Sequence, residues 1–120
     1  MADEITVSMS MAVSNGNLSF SRNVGSKSFD QSAVGGPTPA MLTIGTIEES
    51  VAFSELTTVG WVLMENLDST NYVEWGFSSG TYGGRMEAGE SALFRLNPST
   101  TLYMRANTAS CAVTVYALED

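Results

Sequence analysis

Apolar and polar residues alternate along most of this 120-residue chain, which is the period of a β-strand with one buried face. Apolar side chains occupy every odd position over residues 5–13. Asn15-Gly16 follows, a strong signal for a tight hairpin turn, and the alternation resumes at Leu18 and Phe20. The pattern therefore predicts a strand of about nine residues that turns back on itself.

The rest of the chain repeats this design in short segments separated by turn-forming residues. Polar residues predict a loop over 21–28, and residues 29–34 predict a weak strand closed by the turn residues at 35–39. Further strands are predicted at 41–47, 60–67, 72–77, 91–96, 102–106 and 112–119, and a short helix fits only at 48–56.

Eight to ten strands without a long helix are typical of an antiparallel β-sandwich. We predict one jelly-roll-like domain over residues 1–120, with the long first and last strands side by side.

Segment 60–67 is apolar on both faces: Trp61 and Leu63 lie on one, Val62 and Met64 on the other. Because one face of a sandwich strand fills its own core, the opposite face needs a second apolar partner. We therefore predict a subunit interface in this region, carried by Trp61, Val62, Leu63 and Met64.

Aromatic residues crowd the next segment. Residues 68–71 favour a turn, which predicts an antiparallel hairpin between 60–67 and 72–77. On the second strand Val73, Trp75 and Phe77 share one face, and burial of such side chains contributes about 1.5–3 kcal/mol each. A core stripe is therefore favoured over a binding loop with exposed aromatics.

Charge excludes several classes of partner. Five Lys and Arg residues against thirteen Asp and Glu residues give a net charge of −8, which repels nucleic acid and anionic membranes. No run of 18 apolar residues is present, and residues 1–8 lack the apolar centre of a signal peptide, so synthesis in a cytoplasm is expected. The single Cys111 is expected to be a buried, inert thiol.

Candidate chemistry is sparse, because the chain contains no histidine. Triad-type nucleophile activation and imidazole metal sites are therefore excluded, so we predict no catalytic residue, no metal and no cofactor. Asp68 stands among neutral oxygens, which favours a turn over a calcium loop. Tyr82, between glycines, is the best candidate for stacking on a sugar. Seven glutamates could in principle form a catalytic pair, but no spacing singles one out: Glu48, Glu49, Glu55, Glu65, Glu74, Glu87 and Glu90.

Four segments resemble a known group of proteins: "ADEITVSMSMAVSNGNLSF", "NLDSTNYVEWG", "AGESALFRL" and "LYMRANTASCAVTVYALED". Together they resemble the small jelly-roll head decoration, or cement, proteins of tailed bacteriophages. This resemblance implies a homotrimer on the outer surface of the virion, bound to the major capsid protein.

Ala2, Asp3 and Glu4 precede the first strand and are too polar for a core, so we expect them to contact the capsid. Two other readings remain open. One is a tail or fibre module that binds host-surface carbohydrate, and the other is a glycan-cleaving enzyme that uses carboxylates alone.

Overall fold

The computed structural model describes residues 3–120, which contain ten strands and no helix, and every strand pairing is antiparallel. The predicted all-β fold is thus confirmed. The chain divides into two compact units, Met1–Ser32 and Ala33–Asp120. The single domain over residues 1–120 stays a prediction. The strands are β1 (Ile5–Asn15), β2 (Leu18–Phe29), β3 (Thr38–Ile44), β4 (Glu49–Ser50), β5 (Val59–Asn66), β6 (Val73–Gly76), β7 (Gly84–Met86), β8 (Ser91–Arg95), β9 (Tyr103–Ala106) and β10 (Cys111–Glu119).

The second unit is a sandwich of two four-stranded sheets with the orders β3-β10-β5-β8 and β4-β9-β6-β7. Its strands pair in nested order along the sequence, the first with the last and so on inward: β3 with β10, β4 with β9, β5 with β8, and β6 with β7. Such nested pairing arises when one long hairpin is rolled up on itself, which is the jelly-roll fold. The predicted fold class is therefore confirmed.

Alternate residues of both sheets fill the core between them. The positions predicted to face inward in the last two strands, Leu102, Met104, Val113, Val115 and Ala117, are all fully buried. Other fully buried side chains come from the remaining strands: Ile44, Val62, Met64 and Val73.

Cys111 lies in the same core, as predicted. Burial, aided by the negative charge of Asp68, raises the pKa of its thiol above the ordinary value. Because the thiolate is the reactive form of cysteine, this environment keeps the side chain inert.

The first unit is a hairpin of β1 and β2. Gly16 and Asn17 form its two-residue turn, one position beyond the predicted signal, and the positive φ of Gly16 (58°) suits the first central position of a type II′ turn. The predicted loop over 21–28 and weak strand over 29–34 are wrong, because β2 continues to Phe29. Polar residues here do not end the strand, since its hydrogen bonds to β1 are made by the backbone.

The first strand does not pair with the last, contrary to the prediction. β1 pairs with β2 alone among the described strands, whereas β10 lies between β3 and β5. The terminal strands that pair in this jelly roll are those of the sandwich itself.

Two local predictions between 48 and 77 are also wrong. The segment 48–56 is not helical: Glu49–Ser50 is strand β4, and the Val51 N–H donates to the carbonyl of Leu102 (2.8 Å), which extends the pairing with β9. β5 and β6 do not form a hairpin, because they belong to different sheets and residues 67–72 connect one sheet to the other.

The buried side chain of Asn66 organises this connection. Its Nδ2 donates to the carbonyls of Asn71 (2.9 Å), Met86 (3.1 Å) and Glu87 (3.3 Å), and its Oδ1 accepts from the Asp68 N–H (3.0 Å). The residue is fully buried. One buried amide therefore contacts four backbone groups, with its two N–H hydrogens shared among three carbonyls.

We expect Asn66→Ala to lower the free energy of unfolding by about 3 kcal/mol, because several buried or partly buried backbone groups lose their partner. Urea unfolding measures this loss. Asn97→Ala is the control, since Asn97 is exposed, and it is expected to change stability by less than about 0.5 kcal/mol. A loss below about 1 kcal/mol for Asn66→Ala would contradict the role assigned to this amide.

Candidate interaction surface

Strand β5 has two apolar faces, as predicted, and they have different surroundings. Val62 and Met64 are fully buried in the sandwich, so their side chains cannot touch a partner, and that part of the predicted interface is wrong. Leu63 is 44% exposed and Trp61 is half-buried, both on the outer face of the sheet. The interface prediction therefore reduces to Trp61 and Leu63.

Leu63 belongs to an apolar row that crosses the whole sheet. Tyr116 of β10 pairs with Leu63 of β5 on one side and with Pro39 of β3 on its other side. Leu63 in turn pairs with Leu93 of β8. Met41 lies on the same face of β3 and is 58% exposed. We call these five residues the outer apolar band. Exposed apolar surfaces of this kind commonly mark interaction sites.

One carboxylate borders the outer apolar band. Glu65 stands on the same face, between Thr114 and Ser91, and is exposed. Arg95, further along β8, is bonded to Asp120, which offsets its charge. The band therefore combines apolar contact area with negative charge.

A second apolar feature lies at one edge of the sandwich. The Trp75 ring stacks on Phe94 of the other sheet (centroids 5.0 Å apart, 6° between planes), and Phe77 meets both rings edge-on. Gly84 makes room for the indole, because a Cβ at this position would overlap the ring. A groove of about 430 Å³ opens beside Trp75 and Phe77. We call the three rings the aromatic edge.

The predicted core stripe of β6 is only partly correct. Val73 is fully buried and Trp75 packs against the core, but Phe77 is 47% exposed. Phe77 follows the last residue of β6, where the strand has ended, so the alternation no longer points its side chain into the core.

Tyr82, the candidate for sugar stacking, is held by its neighbours. Its hydroxyl donates to Glu48, and the same carboxylate accepts from the Ser79 hydroxyl (2.5 Å) and the Gly80 N–H (2.6 Å). The guanidinium of Arg105 lies 4.6 Å from the centre of the Tyr82 ring. One ring face and the hydroxyl are thus already engaged. No sequence pattern linked Glu48 to this loop more than 30 residues away.

This network perturbs the titration of both of its main groups. The hydrogen bond from Ser79, then those from Tyr82 and Gly80, lower the pKa of Glu48 below its usual range. The bond to Glu48 raises the pKa of Tyr82. Hydrogen bonds to the charged form of a carboxylate cause such a shift, and here they tie Glu48 to the loop at 79–82.

Asp68 forms a turn, as predicted. Its Oδ2 accepts from the backbone N–H groups of Asn71 (2.6 Å) and Thr70 (2.9 Å), which together lower the pKa of the carboxyl. The carboxylate of Asp68 thus takes the place of the backbone carbonyls that these two N–H groups would bond in a strand.

The segment before β1 is only partly described. Ala2 lies outside the described residues, while Asp3 and Glu4 are exposed. The Asp3 N–H donates to Asp30 (2.8 Å), and Glu4 accepts from the Gln31 N–H (2.9 Å). These two residues of the predicted capsid contact therefore continue the hairpin beyond its last strand pair.

Side chains that could ligate a metal ion do not cluster within residues 3–120. No group of three or more Cys, Asp and Glu side chains in this range is placed to hold a metal ion. No helix there is long and apolar enough to cross a membrane. Glu87 pairs with Arg85 (3.2 Å), and Glu90 accepts from the Glu87 N–H (2.8 Å), so both serve the predicted turn at 87–90.

No protein-family model, curated protein or solved structure matches this chain. The function must therefore be argued from the surfaces described above.

Acid should weaken the fold through Glu48. Its pKa is lowered in the folded state, so its contribution is complete above the ordinary pKa of about 4.3 and is lost as the pH falls through the folded value. We expect urea midpoints to fall between pH 5 and pH 2, and to fall less in Glu48→Gln. Glu55→Gln, at an exposed position, is the control. Equal pH dependence in both variants would refute the assignment.

The two aromatic residues of 72–77 should differ sharply on truncation. Trp75→Ala is expected to cost about 3 kcal/mol, because the indole fills space beside the core. Phe77→Ala is expected to cost about 1 kcal/mol or less, since its ring is half exposed. Thermal unfolding of the two variants measures the difference, and similar losses would show that Phe77 belongs to the core.

Proposed function

We propose that this protein is a decoration protein that binds the outer surface of a mature phage capsid as a homotrimer and stabilises the shell. The observation that carries the proposal is the outer apolar band, an apolar row of exposed and half-buried residues across all four strands of a sheet whose opposite face already fills the core. A rigid sandwich with such a face is suited to holding other protein surfaces together. The resemblance to jelly-roll cement proteins supports the same role.

Charge supports a position outside the shell. Residues 33–120 contain three arginines and ten acidic residues, a net charge of −7, and the whole chain carries −8. Packaged DNA would repel such a protein, whereas the outer surface of a capsid is free of that constraint. The protein would be made in the host cytoplasm and then join the virion.

Stabilisation would come from many copies rather than from one strong site. Asp3 and Glu4 are exposed beside the hairpin and, with Ala2, are the proposed contact with the major capsid protein. Contacts of modest strength that are linked through a trimer gain greatly in effective affinity. The proposed role needs no catalytic group, metal or cofactor.

The test is to strip the protein from particles, or delete its gene, and to measure the temperature at which DNA is released. Shells without the protein are expected to assemble normally, to leak DNA at a lower temperature and to recover when purified protein is added back. Unchanged heat stability would overturn the proposal.

The aromatic edge favours a second candidate function, a tail or fibre module that binds host carbohydrate. Phe77 is exposed beside a groove, and exposed aromatic rings are a common platform for apolar sugar faces. Phe77→Ser should then abolish host adsorption while leaving the heat stability of the particles unchanged. Thr46→Ser, at an exposed position in another loop, is the control. Few copies per virion would favour this function, and hundreds would favour decoration.

A further inference from the structure

The β1–β2 hairpin has one apolar and one polar face. The register sets Met11 beside Arg22 and Val13 opposite Phe20, whereas the alternate positions pair residues such as Ala12 and Ser21. The apolar hairpin face bears six exposed apolar side chains: Met9 (41%), Met11 (69%), Val13 (39%), Leu18 (56%), Phe20 (51%) and Val24 (37%). Ile5 and Val7 lie on the same face and are buried. The opposite face is built from small polar residues and alanine: Thr6, Ser8, Ser10, Ala12, Ser14, Ser19, Ser21, Asn23, Ser26 and Ser28.

A ribbon of this kind calls for a partner on one side only. A two-stranded hairpin is marginally stable in water unless its apolar face is covered. The polar face excludes burial in a layer between two others, because its hydroxyl groups would lose water without gaining partners. The occupant is therefore a single flat apolar surface.

Charge narrows the choice of surface. Arg22 and Lys27 are the only charged residues over 5–29, and the register opposite Met11 and Val7 puts both on the apolar hairpin face. Two such faces would repel each other when they met. A matching surface is apolar and acidic.

The outer apolar band has this composition. It presents Leu63, Tyr116 and Met41 beside Glu65, on a unit with a net charge of −7. We infer that the apolar hairpin face of one copy lies on the outer apolar band of a second copy. This inference deepens the homotrimer of the proposed function by naming the two surfaces that join its subunits.

Contact between two different surfaces of identical chains is head-to-tail, and it closes into a ring when the rotation between subunits allows. One face of the ribbon, 11 residues long at about 3.3 Å each and about 10 Å wide, offers roughly 400 Å². In a ring each copy makes this contact twice, once with each surface. Each contact thus covers roughly 800 Å² over its two partners, about half of a standard specific interface, and ring closure gives every copy two of them.

Cross-linking between two differently tagged full-length chains tests the pairing directly. One chain carries Met11→Cys and the other Leu63→Cys, and both are joined with a short bis-maleimide. The native Cys111 is fully buried, so it stays unmodified. The product expected is a cross-linked pair that contains both tags, in large excess over pairs with one tag.

Each other result has a definite meaning. Dominant Met11→Cys homodimers would show hairpin-to-hairpin contact, and dominant Leu63→Cys homodimers would show band-to-band contact. Either would overturn the inference, as would a wild-type monomer at micromolar concentration in light scattering.

A matched pair of charge substitutions tests whether the apolar hairpin face, rather than the polar face, makes the contact. Met11→Glu should raise the concentration at which the oligomer is half dissociated by at least about tenfold, because it places a carboxylate against an acidic apolar surface. Ala12→Glu adds the same charge at the next residue, which lies on the polar face, and should change the half-dissociation concentration by less than about twofold. Equal effects would overturn the inference.

Capsid binding is scored separately with purified shells. An oligomer joined as described that does not bind shells would refute the proposed function and leave the inference standing. A Met11→Glu monomer that binds and stabilises shells as well as the native protein would leave decoration standing and would show that the contact is not needed for it.

Discussion

The hydrogen bonds of Asn66 are the constraint on which the rest of the sandwich depends. The chain must leave one sheet after β5 and enter the other at β6, and this buried amide satisfies the backbone groups exposed by that step. The turn at 107–110 joins the same region, because Asn107 Oδ1 accepts from the Tyr72 N–H (3.1 Å) and the Thr108 hydroxyl donates to Asn71 (2.8 Å). Three distant segments, around residues 66–72, 86–87 and 107–108, thus meet at one place.

Several acidic side chains in this protein accept hydrogen bonds from backbone N–H groups of loops. Glu119 accepts from the N–H groups of Thr57 (2.9 Å) and Thr58 (2.6 Å), just as Glu48 and Asp68 hold their own loops. A jelly roll contains many connections whose N–H groups lack a strand partner, and a carboxylate satisfies two of them at once. This use accounts for part of the strong negative charge without invoking a cationic ligand.

Two exposed apolar surfaces follow from the way the sheets are filled. The core accepts one face of each strand, so apolar residues on the other face of β5, with their neighbours Tyr116 and Leu93, remain on the outside. The hairpin is a two-stranded sheet, and six apolar side chains on one of its faces are exposed as well. Opposite charge on the two surfaces favours contact of one with the other and disfavours contact of either with itself.

The sequence alone determined the local elements, because a side-chain period of two is visible within a few residues. It predicted the strands at 60–67, 102–106 and 112–119, their buried positions such as Met104, and the double apolar face of β5. Pairing was decided by the tertiary structure, since the period does not say which sheet a strand joins. The separation of β5 from β6, the exposure of Phe77 and the bond between Tyr82 and Glu48 all depend on contacts between distant residues. The candidate surfaces were for that reason only half predictable: Leu63 was visible in the pattern, but its row with Tyr116 and Pro39 exists only through the register of neighbouring strands.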